Sequence, residues 1–288
     1  MEEIKLSNVE SLSGLVNMIG LATLYNSQKG QNALIEISKK EIVVSYVRDN
    51  CVAIHKSPYT INDVFGVELS KYIGDKTLIF KPIEQDFNLP MIKFLSVKCK
   101  SNISADIVLN IDDNYTFNSD LDNYGMLVSS ISISVEGYTA TLASLDSNSK
   151  VGEMLNKFII SRESVTNQIE DTEVCSMEDI EDIDKVLEFL SFTALNEVNS
   201  PDSEIINLIF KRGKGRNELN ISRLEFTRAS LDISSEVLQD KKISVNYQDL
   251  KRLITFAHKN SKGITISFGM AKEIINSDSW TLICANLL

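Results

Sequence analysis

Apolar residues recur with a helical period in a few segments of the chain and alternate with polar residues in most of the others. Residues 248–259 carry apolar side chains at positions i, i+3, i+4 and i+7, beginning with Leu250, which predicts a helix with one buried stripe. The opposite side of that helix carries Lys251, His258 and Lys259. We predict a second helix of the same character from Leu89 onwards, where proline at position 90 suits a first helical turn.

The two halves of the chain repeat one order of elements: an amphipathic helix, paired strands, a short cationic helix and an alternating strand. In the first half we predict a helix over 9–25, strands over 33–38, 41–48, 50–55, 64–69 and 77–82, the helix from 89, and strands over 107–111, 131–135 and 138–145. In the second half we predict a strand over 158–161, a polar surface stretch over 167–184, a helix over 180–198, a strand over 204–211, one or two strands over 218–234, a strand over 243–245, the helix over 248–259, and a strand over 264–268.

This repeat predicts an α+β protein of two similar domains. A chain of 288 residues can form one large domain or two of ordinary size, and the repeat favours two. The polar run at 146–150 is the best candidate for a junction. We therefore expect a first domain over 1–146, a connector over 147–152 and a second domain over 153–288.

Composition and charge narrow the classes of function. Hydrophobic residues make up 43% and charged residues 24%, which is normal for a globular protein. No apolar run approaches the roughly 18 residues that cross a bilayer, and residues 1–13 lack the pattern of an export signal, so we expect a soluble, intracellular protein without a membrane partner. A net charge of −11 argues against non-specific binding of nucleic acid over the whole surface, but leaves room for a focused basic site.

Motifs of catalysis are missing from the sequence. The two histidines, His55 and His258, have no nucleophile or carboxylate signature beside them, although a site assembled in space stays an alternative. The four cysteines show no CxxC spacing, which indicates neither a zinc site nor a disulfide framework. We predict no enzyme activity, no metal and no cofactor.

Cationic side chains recur on the second helix of each half, and this recurrence favours a binding role over simple solubility. They are Lys93, Lys98 and Lys100 in the first half and Lys251, Arg252, Lys259 and Lys262 in the second. Lysines spaced along a helix act as point charges, so they suit sequence-independent contact with a phosphate backbone. The basic run 211–216 contains two glycines between predicted strands, and we interpret it as a hairpin turn with solvated charges, with phosphate contact as the alternative.

These patterns resemble the DNA sliding clamps, the family of polymerase processivity factors that includes proliferating-cell nuclear antigen, the bacterial β clamp and the phage clamps. The similar parts are residues 9–55 and 89–111 and their counterparts at 180–234 and 243–270, and the segment 245–257 followed by 263–268 is similar to the family's last helix and strand. The resemblance implies a ring subunit in which helices line a hole and sheets form the outer wall. The first helix of each half departs from this pattern, because neither helix has a basic face. One carries the neutral Asn17, and on the other Lys185 lies among acidic residues.

The resemblance implies a phage or viral type of clamp, with two domains per chain closing as a homotrimer around duplex DNA. It also implies a tethered DNA polymerase and a clamp-loader ATPase as partners, and backbone contacts from the seven cationic residues named above. A partner groove would lie near the domain connector and the carboxyl end, at Tyr138, Leu142, Leu145, Trp280, Leu282, Leu287 and Leu288. For the tryptophan and the leucine at 282, a place in a final core strand is the stronger interpretation. The alternative function is a viral interaction or transcription-coupling protein that forms no ring.

Overall fold

The computed structural model describes most of the chain, and every structural statement below refers to those residues. They are 2–9, 12–26, 32–48, 51–57, 60–82, 85–98, 104–117, 125–144, 173–177, 180–193, 205–214, 216–223, 227–233, 240–259, 263–268, 272–277 and 280–285. The chain divides into two compact units, one formed by 1–48 with 54–164 and the other by 49–53 with 165–288. The connector expected at 147–152 and the strand expected at 158–161 lie outside the described residues, and the expected domain boundaries stay predictions.

Up to residue 144 the described part of the chain forms eight strands and four helices. The strands are β1 (Glu2–Val9), β2 (Asn32–Ile37), β3 (Ile42–Arg48), β4 (Cys51–Lys56), β5 (Thr77–Phe80), β6 (Ala105–Phe117), β7 (Gly125–Val135) and β8 (Tyr138–Ala143). The helices are α1 (Leu12–Asn26), α2 (Ile61–Phe65), α3 (Val67–Ile73) and α4 (Gln85–Lys98).

The sheet of the first unit runs in the order β1-β6-β7-β5-β2-β3, and β8 pairs with the far end of β7. All of these pairs are antiparallel except β5 with β7. Helices α1 and α4 pack against each other. The alternating residues of β6 that the sequence predicts to face a core are buried, as Ile107 and Leu109 show.

From residue 173 onwards the residues that the structure describes form eight more strands and two helices. The strands are β9 (Glu173–Met177), β10 (Ile205–Lys211), β11 (Asn217–Arg223), β12 (Thr227–Ile233), β13 (Lys241–Asn246), β14 (Ile264–Phe268), β15 (Lys272–Ser277) and β16 (Trp280–Ala285). The helices are α5 (Ile180–Thr193) and α6 (Tyr247–Lys259), which pack against each other. One sheet runs β12-β11-β10-β13, and the other contains β16-β15-β14-β9.

The two units share one topology, which confirms the α+β fold of two similar domains. Strand β1 pairs with β6, the strand that follows α4, and β9 pairs with β14, the strand that follows α6. The hairpin β2–β3 corresponds to β10–β11, and β5 joins β2 as β13 joins β10. The final meander β6–β7–β8 corresponds to β14–β15–β16.

Several elements differ from the sequence-based predictions for local physical reasons. The strand predicted at 64–69 is wrong, because Thr60 and Asp63 form a capping box that begins helix α2. Here Thr60 Oγ1 accepts a hydrogen bond from the Asp63 amide, and the Thr60 amide donates to Asp63 Oδ2 at 2.8 Å. Helix α4 begins at Gln85, so Pro90 lies inside the helix and not in its first turn.

Two edge strands, β1 and β9, were not predicted. Each forms because it pairs with a strand that is distant in sequence. Strand β1 was not predicted, and its residues Ile4 and Leu6 are buried where β1 pairs with β6. Strand β9 lies in the stretch predicted to be a polar surface segment, and it pairs with β14. The predicted segment 218–234 is two strands, β11 and β12, which pair with each other. Among the described helices, none has the length and apolar character needed to cross a membrane.

Candidate nucleic-acid interface

Helix α6 turns one apolar stripe to the core and a row of polar residues to its partner helix. Leu250, Leu253 and Ile254 are at most 1% exposed, as the periodicity predicts. Asn246 caps the amino end of the helix, because its Oδ1 accepts hydrogen bonds from the amides of Gln248 (2.9 Å) and residue 249 (3.3 Å). The side chains that follow this cap are therefore held at fixed positions along the helix.

Asp184 of α5 is the centre of a polar network between the two helices of the second unit. Its carboxylate accepts hydrogen bonds from Lys251 Nζ at 2.8 Å and from Thr255 Oγ1 at 3.1 Å, and His258 Nδ1 lies 3.1 Å away. Burial raises the pKa of Asp184, but the hydrogen bonds from Lys251 and His258 and the charge of the lysine outweigh it, so the pKa lies below its usual value. The side chain of Asp184 is 19% exposed, so water screens this network only in part.

Two of the cations predicted to contact DNA on α6 are held in ion pairs within the unit. Lys251 pairs with Asp184, and Arg252 Nη1 lies 3.5 Å from Asp249 Oδ1. Their side chains are 26% and 23% exposed. Lys259 in the last turn is exposed. Lys262 lies outside the described residues, as does Lys100 of the first unit.

Helix α4 presents one exposed cation and one that is anchored to a neighbouring strand. Lys93 is exposed, whereas Lys98 Nζ lies 2.7 Å from Glu136 Oε2 in the turn before β8. The hydrogen bond to Glu136 and its charge raise the pKa of Lys98. The same ammonium group lies 5.6 Å from the centre of the Tyr138 ring, at a distance typical of a cation–π contact.

The first helices add little positive charge. On α1, Asn17 is exposed and neutral. On α5, Lys185 Nζ is 2.7 Å from Glu181 Oε1 and 3.6 Å from Asp182 Oδ1, and the hydrogen bond to Glu181 raises the pKa of the lysine. Of the described residues on α1, α4, α5 and α6, the exposed lysines without an ion pair are therefore Lys93 and Lys259, and their contact with DNA stays a prediction.

The residues predicted for a partner groove fall into three groups. Tyr138 is 58% exposed and packs edge-to-face on Phe94, with the ring centres 5.7 Å apart. Leu142, Trp280 and Leu282 are buried in β8 and β16, which agrees with the core interpretation of the last two. The remaining three, Leu145, Leu287 and Leu288, lie outside the described residues. The groove stays a prediction.

Sequence reasoning missed Asp184 as the partner of the polar row on α6, although a signal was present. Lys251, Thr255 and His258 are spaced i, i+4 and i+7, so they share one side of the helix. A row of a lysine, a hydroxyl and a histidine beside an apolar stripe needs an acceptor on the neighbouring element. The signal does not identify which of the acidic residues on α5 supplies it.

Comparison with solved structures identifies the fold. The DNA polymerase III subunit beta of Pseudomonas aeruginosa matches 99% of this chain with a TM-score of 0.55 at 10% identity. That of Borrelia burgdorferi, solved with a natural product, matches 98% with a TM-score of 0.57 at 12% identity. The Helicobacter pylori beta clamp bound to a DNA ligase peptide matches 98% with a TM-score of 0.52 at 10% identity. The chain therefore has the fold of the DNA sliding clamps.

The chain is shorter than these clamp subunits. It covers 64% of the Pseudomonas subunit, 64% of the Borrelia subunit and 66% of the Helicobacter clamp. No protein-family model matches the sequence, and no curated protein matches it. The shared property is thus the fold, with little sequence identity behind it.

Proposed function

We propose that this protein is a DNA sliding clamp, which encircles duplex DNA as a homotrimeric ring and tethers a DNA polymerase during replication. The observation that carries the proposal is the clamp topology, present in both units and matched over 98–99% of the chain. The protein's role is mechanical: a closed ring holds the duplex by enclosing it, so the contacts themselves need not be tight. Replication proteins of this kind work inside the cell, or in the host cell if the protein is viral.

The charge distribution supports a channel formed by the helices. The chain carries a net charge of −11, yet exposed Lys93 and Lys259 lie on α4 and α6, the corresponding helices of the two units. An exterior that is anionic overall repels DNA, and cationic helices would attract it to the hole. We assign backbone contacts to Lys93, Lys98, Lys100, Lys251, Arg252, Lys259 and Lys262. Lys251 also joins α6 to α5 through Asp184, so its role in DNA contact is combined with a structural one.

Closing a ring from identical chains requires two different, complementary surfaces on each chain. Each unit offers an open strand edge beside a helix: β8 pairs only with β7 among the described strands, and β12 only with β11. Beside β8, helix α4 carries Lys93 and Phe94, and the Phe94 ring packs edge-to-face on Tyr138 of β8. Beside β12, helix α5 carries the 56% exposed Phe189 and an excess of acidic residues. We assign ring closure to β8 of one chain pairing with β12 of the next.

The partners follow from the same function. The Helicobacter clamp was solved with a DNA ligase peptide, and we expect this protein to bind short peptides of its polymerase and of other replication proteins. A closed ring cannot reach an internal site on DNA, so we expect a clamp-loader ATPase to open it. We place the groove for the peptides near the carboxyl end, and we assign Tyr138, which the predicted groove had included, to ring closure.

Light scattering after size-exclusion chromatography tests the ring. The expected mass is close to three times 32.2 kDa, and Tyr138→Ser is expected to lower it because the substitution removes an exposed aromatic group from the β8 edge. Tyr72→Ser, a change of the 38% exposed tyrosine on α3, is the matched control and is expected to keep the mass of the wild type. A strict monomer at micromolar concentration would contradict the ring and favour the interaction protein that forms none.

A further inference from the structure

Positive charge gathers at one end of the four-stranded sheet of the second unit. Strand β10 ends there at Lys211, opposite Glu218 of β11, and β13 begins there, with Lys241 opposite Phe210. We call this surface the basic end. Its cations are Lys211, Arg212, Lys214, Arg216, Lys241 and Lys242, and its described acidic residues are Glu218, Asp232 and Asp240.

The acidic residues of the basic end are engaged with other groups. Asp232 Oδ2 pairs with Arg216 Nη1 at 3.1 Å, and Asp240 Oδ1 accepts a hydrogen bond from the Arg212 amide at 3.0 Å. Glu218 accepts a hydrogen bond from the Ser230 hydroxyl. These contacts leave the carboxylates of the surface with partners of their own.

Three ammonium groups of the basic end are exposed and face solvent. They belong to Lys211, Lys214 and Lys242, and none of them forms an ion pair with another described residue. Lys241 differs, because its Nζ lies 5.8 Å from the centre of the Phe268 ring. The turn that carries Lys214 has a tight shape: a Cβ atom on Gly213 would lie 1.9 Å from the carbonyl oxygen of Arg216.

The corresponding turn of the first unit, between β2 and β3, carries no such excess of positive charge. The topology that the two units share therefore does not require it. There Lys39 and Lys40 connect β2 to β3, and they share a surface depression with Glu36, Glu41 and Asp75. Cations and carboxylates are close to balanced at that end. The charge of the basic end is therefore a property of the second unit alone.

We propose that the basic end binds the phosphate backbone of nucleic acid from outside, independently of any enclosure by a ring. Three exposed point charges in an otherwise acidic protein suit a polyanion and carry no base specificity. A protein partner would need apolar anchors. None of the exposed large apolar side chains of the described residues lies at this end; Ile205, also on β10, is at the opposite end of that strand.

The expected salt dependence follows from the number of contacts. If the three lysines neutralise three phosphates, log K falls with log salt at a slope of about −2.7. Between 50 and 200 mM salt the affinity then drops by roughly 40-fold, which follows from the same slope. Binding is therefore weak, and we expect to detect it only at low salt concentration.

The experiment measures binding of the full-length protein to a covalently closed circular duplex without a clamp loader, by fluorescence anisotropy of the labelled protein. A closed circle has no end over which a ring could thread, so enclosure does not contribute. The test variant is Lys211→Gln/Lys214→Gln/Lys242→Gln. The matched control, Lys39→Gln/Lys40→Gln/Lys76→Gln, removes the same charge around the corresponding turn of the first unit.

We expect wild type and control to bind alike with a slope near −3, and the test variant to lose at least 10-fold in affinity. No binding by the wild type, or equal binding by the test variant, would overturn the proposal. A larger loss with Lys93→Gln/Lys259→Gln would also overturn it and assign the binding to the helices. Displacement of the DNA by poly-glutamate at a charge concentration far below that of the DNA would show that the surface prefers acidic protein, and it would overturn the assignment to nucleic acid. The mass in solution is independent of all these outcomes, so failure of this proposal and failure of the ring are distinguishable.

Discussion

Replacing Asp184 tests whether the network between α5 and α6 stabilises the second unit. Asp184→Ala removes the acceptor of Lys251 Nζ and Thr255 Oγ1 and the carboxylate beside His258. A hydrogen bond to a charged group contributes about 1.5–3 kcal/mol net, and a buried partner left without its counter-charge costs more. Because the lysine and histidine side chains are 26% and 44% exposed, water can replace part of what is lost. We expect a loss of about 2 kcal/mol in the free energy of unfolding of this unit.

Trp280 provides the assay. It is the single tryptophan of the chain, lies in β16 of the second unit and is 6% exposed, so its fluorescence in a urea titration follows the unfolding of that unit. The control is Asp182→Ala, since this carboxylate is 62% exposed and lies 3.6 Å from Lys185. The control is expected to change the free energy by less than about 0.5 kcal/mol.

A double-mutant cycle with Lys251→Ala isolates the pair. We expect a coupling free energy of about 1 kcal/mol between positions 184 and 251, because they are in direct contact. If Asp184→Ala has the stability of the control, or if the coupling is near zero, the network does not stabilise the second unit. The apolar stripe alone would then hold α6.

Three further predictions concern the Asp184 carboxylate, the turn at Gly213 and the exposed lysines of α4 and α6. The stability advantage of wild type over Asp184→Asn should shrink as pH falls below about 4, because a carboxyl group with a lowered pKa stabilises the fold only while it is ionised; equal pH profiles of the two proteins in urea titrations would contradict this. Gly213→Ala should destabilise the second unit by about 1–2 kcal/mol, since a Cβ atom would meet the Arg216 carbonyl at 1.9 Å, whereas unchanged Trp280 unfolding would show that the turn relaxes freely. Lys93→Ala/Lys259→Ala should weaken processive synthesis with stability within about 0.5 kcal/mol of wild type, and unchanged processivity would remove these lysines from the channel.

The sequence was sufficient for elements whose own period determines them. Helix α6 was predicted at 248–259 and spans Tyr247–Lys259, because a four-residue apolar stripe on a basic background has one helical interpretation. The hairpin over Lys39 and Lys40 was predicted for a similar reason, with two β-branched runs joined by a short polar turn. The repeat of these local patterns was enough to predict two similar domains.

Elements and contacts that depend on distant residues could not be predicted in this way. Strand β9 is short, and its pairing partner β14 begins at Ile264, far along the chain. Helix α2 depends on one capping box rather than on a period. For the site, the sequence showed which side chains on α6 are cationic, but Lys251 meets its counter-ion 67 residues away, and a single sequence carries no sign of that pairing.

Retention of the protein on DNA by enclosure alone is the most direct test of a ring, and it needs no clamp loader. A linear duplex is attached to a bead at one end, the protein threads over the free end at high concentration, and a tightly bound protein then blocks that end. A wash at high salt removes proteins that are held by phosphate contacts alone. A ring is expected to stay on the blocked duplex after this wash and to leave when a restriction enzyme makes a new end. Loss of the protein in the wash, or retention that the cut does not change, would contradict a ring around DNA.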